Sequence, residues 1–232
     1  MTKIIAILCL FGGMALYAQT PISAADTKKL GYKKVVRFLK RLDLRYFCDI
    51  QPSVNDGSDL SAFYFHNSVY TVNASVERVW ETCLFASPEN LWKGKTLGLS
   101  CIYSKNSDKI FYRSQSRFDT LELNQVYFIN IRIMPLFSIA SALIVTKIDY
   151  DEKLIEFTYI EGNKSNGRQT VRLIANSDNE TGIIHDTYYK SSSKFRDKRL
   201  YPLIHKKVIN DLHKNIDKYS QKIKNEPTII KN

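Results

Sequence analysis

Downstream of residue 96, apolar residues recur at every second position in short runs, and most runs are closed by a cluster of turn-forming residues. A period of two is that of a β-strand, whose side chains point alternately to opposite faces. The pattern predicts strands over 97–104, 109–113, 125–134, 138–150, 154–161, 168–175 and 182–190. An earlier strand, rich in Phe, Tyr and Val, is predicted over 62–72. Most separators are polar: Lys105-Asn106-Ser107-Asp108, Asp149-Tyr150-Asp151-Glu152, the stretch from Gly162 to Gly167, and that from Asn176 to Glu180. Short strands spaced in this way form a meander of antiparallel hairpins.

The period changes to that of a helix in three places. After Ser75, a good N-cap residue, Val76, Val79, Trp80, Cys83 and Leu84 fall on one helical face. Ser87 and Pro88 then open a second short helix carrying Leu91 and Trp92, which stops at Gly94. Near the C-terminus, Leu200, Leu203, Ile204, Val208, Ile209, Leu212, Ile216, Tyr219 and Ile223 trace one continuous stripe. Pro202 is tolerated only in a first turn, so this long helix starts near Arg199 or Leu200. The tail, 225–232, is expected to fray. Ahead of the strands, Val35, Leu39, Leu42 and Tyr46 share a helical face within 26–50, and Lys28, Lys29, Lys33, Lys34, Arg37, Lys40, Arg41 and Arg45 crowd the rest. This basic amphipathic segment either covers one side of the domain or docks, through 28–45, on an anionic membrane surface. The polar stretch 51–60 reads as a linker to a domain spanning 61–224.

The first residues bear on location. A short positive start (Met1-Thr2-Lys3) precedes an uncharged apolar run over 4–18, and small residues follow at Ala18 and at Ser23-Ala24-Ala25. This is the pattern of a secretory signal peptide over 1–25, cut after residue 18 or 25. It predicts an exported chain, periplasmic or secreted. Export leaves Cys48, Cys83 and Cys101, with no Cys-x-x-Cys and no zinc spacing. One disulfide, or buried free thiols, both fit. The formal net charge of +11 favours anionic partners, but export argues against nucleic acid.

The order of elements resembles the START-like, or Bet v 1-like, helix-grip superfamily. The resemblance is carried by the strand-to-helix junction Val72-Asn73-Ala74-Ser75-Val76-Glu77-Arg78-Val79-Trp80-Glu81. It is also carried by Phe157-Thr158-Tyr159-Ile160-Glu161-Gly162-Asn163 leading to Gly167-Arg168-Gln169. The second stretch is similar to a hairpin in an uncharacterised bacterial and plant family of that superfamily, in which His often stands where this chain has Asn163. The resemblance implies an α+β fold: a curved antiparallel sheet wrapped around a long C-terminal helix, with two short helices after the first strand. It also implies a cavity between sheet and helix for a lipid-like molecule, and in some members an enzymatic site such as that of the aromatase/cyclases.

The residues themselves offer little catalytic chemistry. No nucleophile elbow, phosphate-binding loop or dinucleotide fingerprint occurs. The histidines are His66, His185, His205 and His213, and the last two stand eight residues apart on one helix, beyond the spacing at which a helix shares one metal. No catalytic residue, metal ligand or cofactor is predicted. The aromatic residues are the better lead, because ligand cavities are mostly apolar with a few polar groups. The candidate lining is Trp80 and Trp92 of the two short helices, Tyr127, Ile129, Phe157 and Tyr159 of the strands, and Ile204, Val208 and Leu212 of the long helix. The expected function is non-catalytic binding of an apolar or amphipathic small molecule. A cyclase- or hydrolase-like enzyme using the same cavity, and a basic protein acting at a membrane surface, are the alternatives.

Overall fold

A computed structural model describes residues 19–113 and 120–222. Most of the proposed signal segment, Ile223 and the tail lie outside these residues. Among the described residues eight strands form one antiparallel sheet: β1 (Tyr64–Val72), β2 (Leu97–Ser104), β3 (Lys109–Tyr112), β4 (Gln125–Met134), β5 (Phe137–Asp149), β6 (Leu154–Tyr159), β7 (Ser165–Ser177) and β8 (Glu180–Ser191). Their order is β1-β8-β7-β6-β5-β4-β2-β3. The sequence-predicted strands are all present. β7 is longer than its alternation suggests, because Ser165, Asn166 and Gly167 continue the ladder opposite Ser191, Lys190 and Tyr189. Gly167 is required there: its φ is 128°, and a Cβ would lie 2.0 Å from the Tyr188 carbonyl oxygen. Register shifts after Leu99, Arg132, Val145 and Ala175 mark bulges, which bend strands and increase their twist. The sheet therefore curves.

Three helices pack on one face: α3 (Val76–Phe85), α4 (Pro88–Leu91) and α5 (Tyr201–Lys222), the last preceded by a π turn over Arg196–Leu200. Tyr127, Ile129, Leu143, Phe157, Val171 and Ile183 of the sheet meet Val79, Trp80, Leu84, Val208, Leu212 and Ile216 of α3 and α5 there. Ser75 and Ser87 occupy N-cap positions, but neither hydroxyl makes a capping bond. Burial of the apolar stripes, and not capping, holds these short helices.

The opposite face is also covered. Val126, Phe128, Ala142 and Ile144 pack against Leu30, Val35, Phe38, Leu39 and Phe47 of the N-terminal segment. The central strands are thus buried on both sides, which explains their nearly unbroken apolar runs. The 26–50 segment is not the single helix its spacing predicts. It forms α1 (Thr27–Leu30) and α2 (Lys33–Leu39). Gly31 separates them in the left-handed region, at φ 71°, where glycine pays no steric penalty. The Asp26 carboxylate caps α1 by accepting from the Lys28 and Lys29 amides. Each buried apolar side chain here contributes about 1.5–3 kcal/mol. The segment's apolar face is therefore committed to the sheet and is not available for insertion into a bilayer. Residues 51–60 are likewise tied down at their start: the Ser53 amide donates to Tyr159 O at 2.7 Å, and the Glu161 amide to Gln51 O at 2.9 Å. Cys48, Cys83 and Cys101 are free thiols, and burial pushes the Cys83 thiol up to about 12.

Candidate functional site: a cavity with a histidine wall

A cavity of about 250 Å³ lies between the sheet and α5. Seven of the nine sequence-predicted residues line it: Trp92, Ile129, Phe157, Tyr159, Ile204, Val208 and Leu212. Tyr127 lies behind them. Its ring packs 5.1 Å from Trp92 and 6.0 Å from Phe157, beside a smaller apolar void of about 30 Å³. Its hydroxyl donates to Gln125 Oε1 at 3.2 Å, and burial raises its pKa. Trp80 is not part of the cavity. It packs edge-on to Tyr150 with ring centres 5.8 Å apart, and Lys153 Nζ sits 5.7 Å over its ring. Tyr127 and Trp80 both lie in the helix-side core, Trp80 on α3 itself and Tyr127 beneath α3 and α4, away from the hollow of α5.

One end of the cavity opens between the β4–β5 hairpin, the β6–β7 turn and the start of α5, where Phe137, Lys164 and Leu200 are exposed. Asn163 shapes this mouth. Its Nδ2 donates to Ala142 O at 2.6 Å, and its Oδ1 accepts from the Ala142 amide at 3.1 Å. The side chain behaves as an extra peptide group and ties the β6–β7 turn to β5.

At and behind the inner wall the structure gathers all four histidines, a convergence their positions in the sequence did not suggest. His185 of β8 and His205 of α5 line the cavity with Gln169 of β7. His185 Nε2 and His205 Nε2 lie 2.9 and 3.3 Å from Gln169 Oε1. His185 Nδ1 lies 2.8 Å from His213 Nε2. The His66 ring stands edge-on to that of His205 at 5.4 Å, and Tyr70 packs 4.2 Å from His213. Tyr201 stacks between Tyr189 and His205, at 3.6 and 5.1 Å, and its hydroxyl is hydrogen-bonded to that of Tyr159.

Two periodicities produce this wall. His205 and His213 are separated by two turns of α5 and so share a face. His185 and Thr187 alternate along β8 on the side that faces α5, and β7 supplies Gln169 directly opposite Thr187. The spacings were visible in the sequence. The packing of β7, β8 and α5 onto one another was not.

Burial sets the electrostatics. Desolvation, reinforced by neighbouring histidines, holds His185 and His205 well below the usual imidazole range, and pushes His213 down to about 3. Desolvation also raises Tyr159 to about 12 and Tyr201 well above the ordinary phenol. No Asp, Glu or Cys among the described residues lines the cavity. Among the described residues no group of three or more His, Cys, Asp or Glu is arranged to hold a metal ion. The inner, histidine side of the cavity is an uncharged set of hydrogen-bonding groups facing an apolar hollow, and the charged lining residues are Lys164 and Arg196.

No protein-family model and no curated protein matches the chain. Solved structures do. Norcoclaurine synthase of Thalictrum flavum, as a point mutant in complex with a transition-state analogue, superposes with a TM-score of 0.52 at 16% identity, over 70% of this chain and 96% of that one. The same enzyme in complex with dopamine and hydroxybenzaldehyde gives 0.52 at 15% identity, over 72% and 90%. At such identity the likeness is one of fold. The eight-stranded antiparallel sheet gripping a long C-terminal helix is the Bet v 1-like helix-grip fold.

Proposed function

We propose that this chain binds an apolar or amphipathic, lipid-like small molecule between its sheet and α5 and does not transform it. The observation that carries the reading is the cavity: apolar along most of its wall, polar at one inner patch, and open at one end. Its volume falls just below the ~300–1,000 Å³ typical of ligand sites, which suits a small ligand or one that protrudes at the mouth. Competition with a fluorescent apolar probe tests the reading. Val208→Asp or Leu212→Asp should abolish uptake by more than either lowers stability. Ile204→Trp, which fills the hollow without adding charge, should do the same in a folded protein. Unchanged uptake by Ile204→Trp sinks the proposal.

An enzymatic reading draws on the convergence of His205 with Tyr159 and Tyr201, and on a synthase sharing the fold. It is the weaker reading, because general acid–base groups work best with pKa values near the operating pH, and burial drives these apart from it. Recovery of a chemically altered ligand would reverse the preference.

Export remains part of the proposal, and residues 19–25 favour a cut after Ala18. Thr20 bonds to Asp108 through both its amide and its hydroxyl. The Ile22 amide donates to Arg45 O, and Ile22 and Ala25 are buried. A cut after Ala25 would remove all of these contacts.

Docking on an anionic membrane is best placed at the cavity mouth. Met134, Leu136 and Phe137 are exposed on the β4–β5 hairpin, Leu136 fully so at 101%. Leu200 and Leu203 are exposed at the start of α5. Lys34 Nζ lies 5.6 Å over the Phe137 ring, so the basic surface of α2 adjoins the apolar tip. A bilayer approached in this way would meet the open end of the cavity.

A further inference from the structure

We infer that His205 forms a polar subsite accepting a hydrogen bond from the bound molecule, so that the ligand is an apolar compound carrying a neutral O–H or N–H donor. The inference rests on the ligand-binding reading above and specifies its chemistry.

The proton positions follow from Gln169. An amide oxygen only accepts. The Gln169 amide turns its Oε1 to both His185 Nε2 and His205 Nε2; in that placement both rings carry their proton on Nε2 and donate it, with Thr187 Oγ1, 3.4 Å from His205 Nε2, as a second acceptor. His185 Nδ1 is then a lone pair, and His213 Nε2 donates to it across 2.8 Å. The chain of assignments ends at two bare nitrogens. His205 Nδ1 and His213 Nδ1 are buried and, like His66 Nδ1 beside them, meet no polar partner among the described residues.

Leaving a buried acceptor unpaired costs on the order of 1–3 kcal/mol, and such atoms call for a reason. Only His205 of this pair belongs to the cavity wall. Its ring is held on one face by Tyr201 and at its edge by His66, so the acceptor is fixed before any ligand arrives. The same surroundings select against charge. With no carboxylate on the wall, a cation has no counter-ion at depth. The cavity's cationic side chains, Lys164 and Arg196, stand together at the mouth, so at His205 an anion would meet a lone pair where it needs a donor. A neutral alcohol, phenol, amide or ring N–H satisfies the acceptor and leaves its apolar body to the remainder of the hollow.

The test uses indole and indene, two nearly isosteric probes of which only indole carries an N–H. The full chain should bind indole about tenfold more tightly, relative to indene, than His205→Phe does. That variant keeps a stacking ring and deletes the acceptor. His205→Asn, which returns an oxygen near the Nδ1 position, should restore part of the preference. In parallel, the ¹⁵N resonance of His205 Nδ1 in the wild-type protein should move upfield on adding indole and stay in place on adding indene. This measurement needs no variant to fold. An equal indole-to-indene ratio in wild type and His205→Phe, or a resonance that responds identically to both probes, overturns the inference and leaves ligand binding intact. No saturable uptake of either probe overturns the ligand-binding reading, and the inference with it.

Discussion

The histidine wall makes a strong demand on pH. His185, His205 and His213 are buried and neutral in the folded chain, with pKa values pulled down mainly by desolvation. In the unfolded chain each returns to about 6.5. Between the two values the unfolded state binds more protons, so stability rises with pH in that window and is lost as pH falls through it. The contribution is complete above 6.5 and for His213 declines down to about 3. A ring that stays neutral when folded loses about 1.4 kcal/mol by pH 5.5 relative to neutral pH. Three such rings together lose about 4 kcal/mol, a large share of the ~5–15 kcal/mol that holds a typical domain. Most carboxylates are still ionised at pH 5.5, so they mask little of the effect. Urea denaturation at pH 7.5 and 5.5 measures it. His213→Asn should remove about a third of the pH dependence. A stability that is flat across this range would refute the packed, neutral histidine layer.

Other outcomes follow from single contacts. Asn163→Ala orphans the buried Ala142 amide, and should cost about 1–3 kcal/mol in denaturation and speed ligand dissociation; unchanged values for both would show that the mouth is not tied by this residue. Intact mass of the exported protein should place its first residue at 19, and a chain beginning at 26 would contradict the role given to Ile22 and Thr20. Sedimentation with anionic vesicles should fall on Leu136→Glu, with little binding to zwitterionic vesicles; binding that ignores both changes would remove the mouth as a docking surface.

The strands and α5 were legible because each carries its own period, and a period is a local property. The broken N-terminal helix was not, because the apolar spacing of Val35, Leu39 and Leu42 persists across a chain that Gly31 has already turned and that unwinds after Leu39. The candidate lining was readable to the level of a face. Strand parity puts Tyr127 with Ile129 and opposite Phe128, and so they lie. Parity does not say which helix covers a given rung, and Tyr127 falls under α3 and α4; nor does the period of α3 say which part of the sheet Trp80 meets. The histidines show the same limit more sharply. Residues 66, 185, 205 and 213 meet only because β1 pairs with β8 and α5 packs on β1 and reaches β8 through His213 and His185, contacts that no local window contains.

The central claim is that the hollow between sheet and α5 takes up a small amphipathic molecule. The direct measurement is to incubate the purified chain with a lipid extract from its own source, re-isolate it, and weigh it by native mass spectrometry. The wild-type protein should carry a small molecule that denaturation releases, and Ile204→Trp should carry none. A wild-type protein at its bare polypeptide mass, or equal loading of both proteins, would contradict the account.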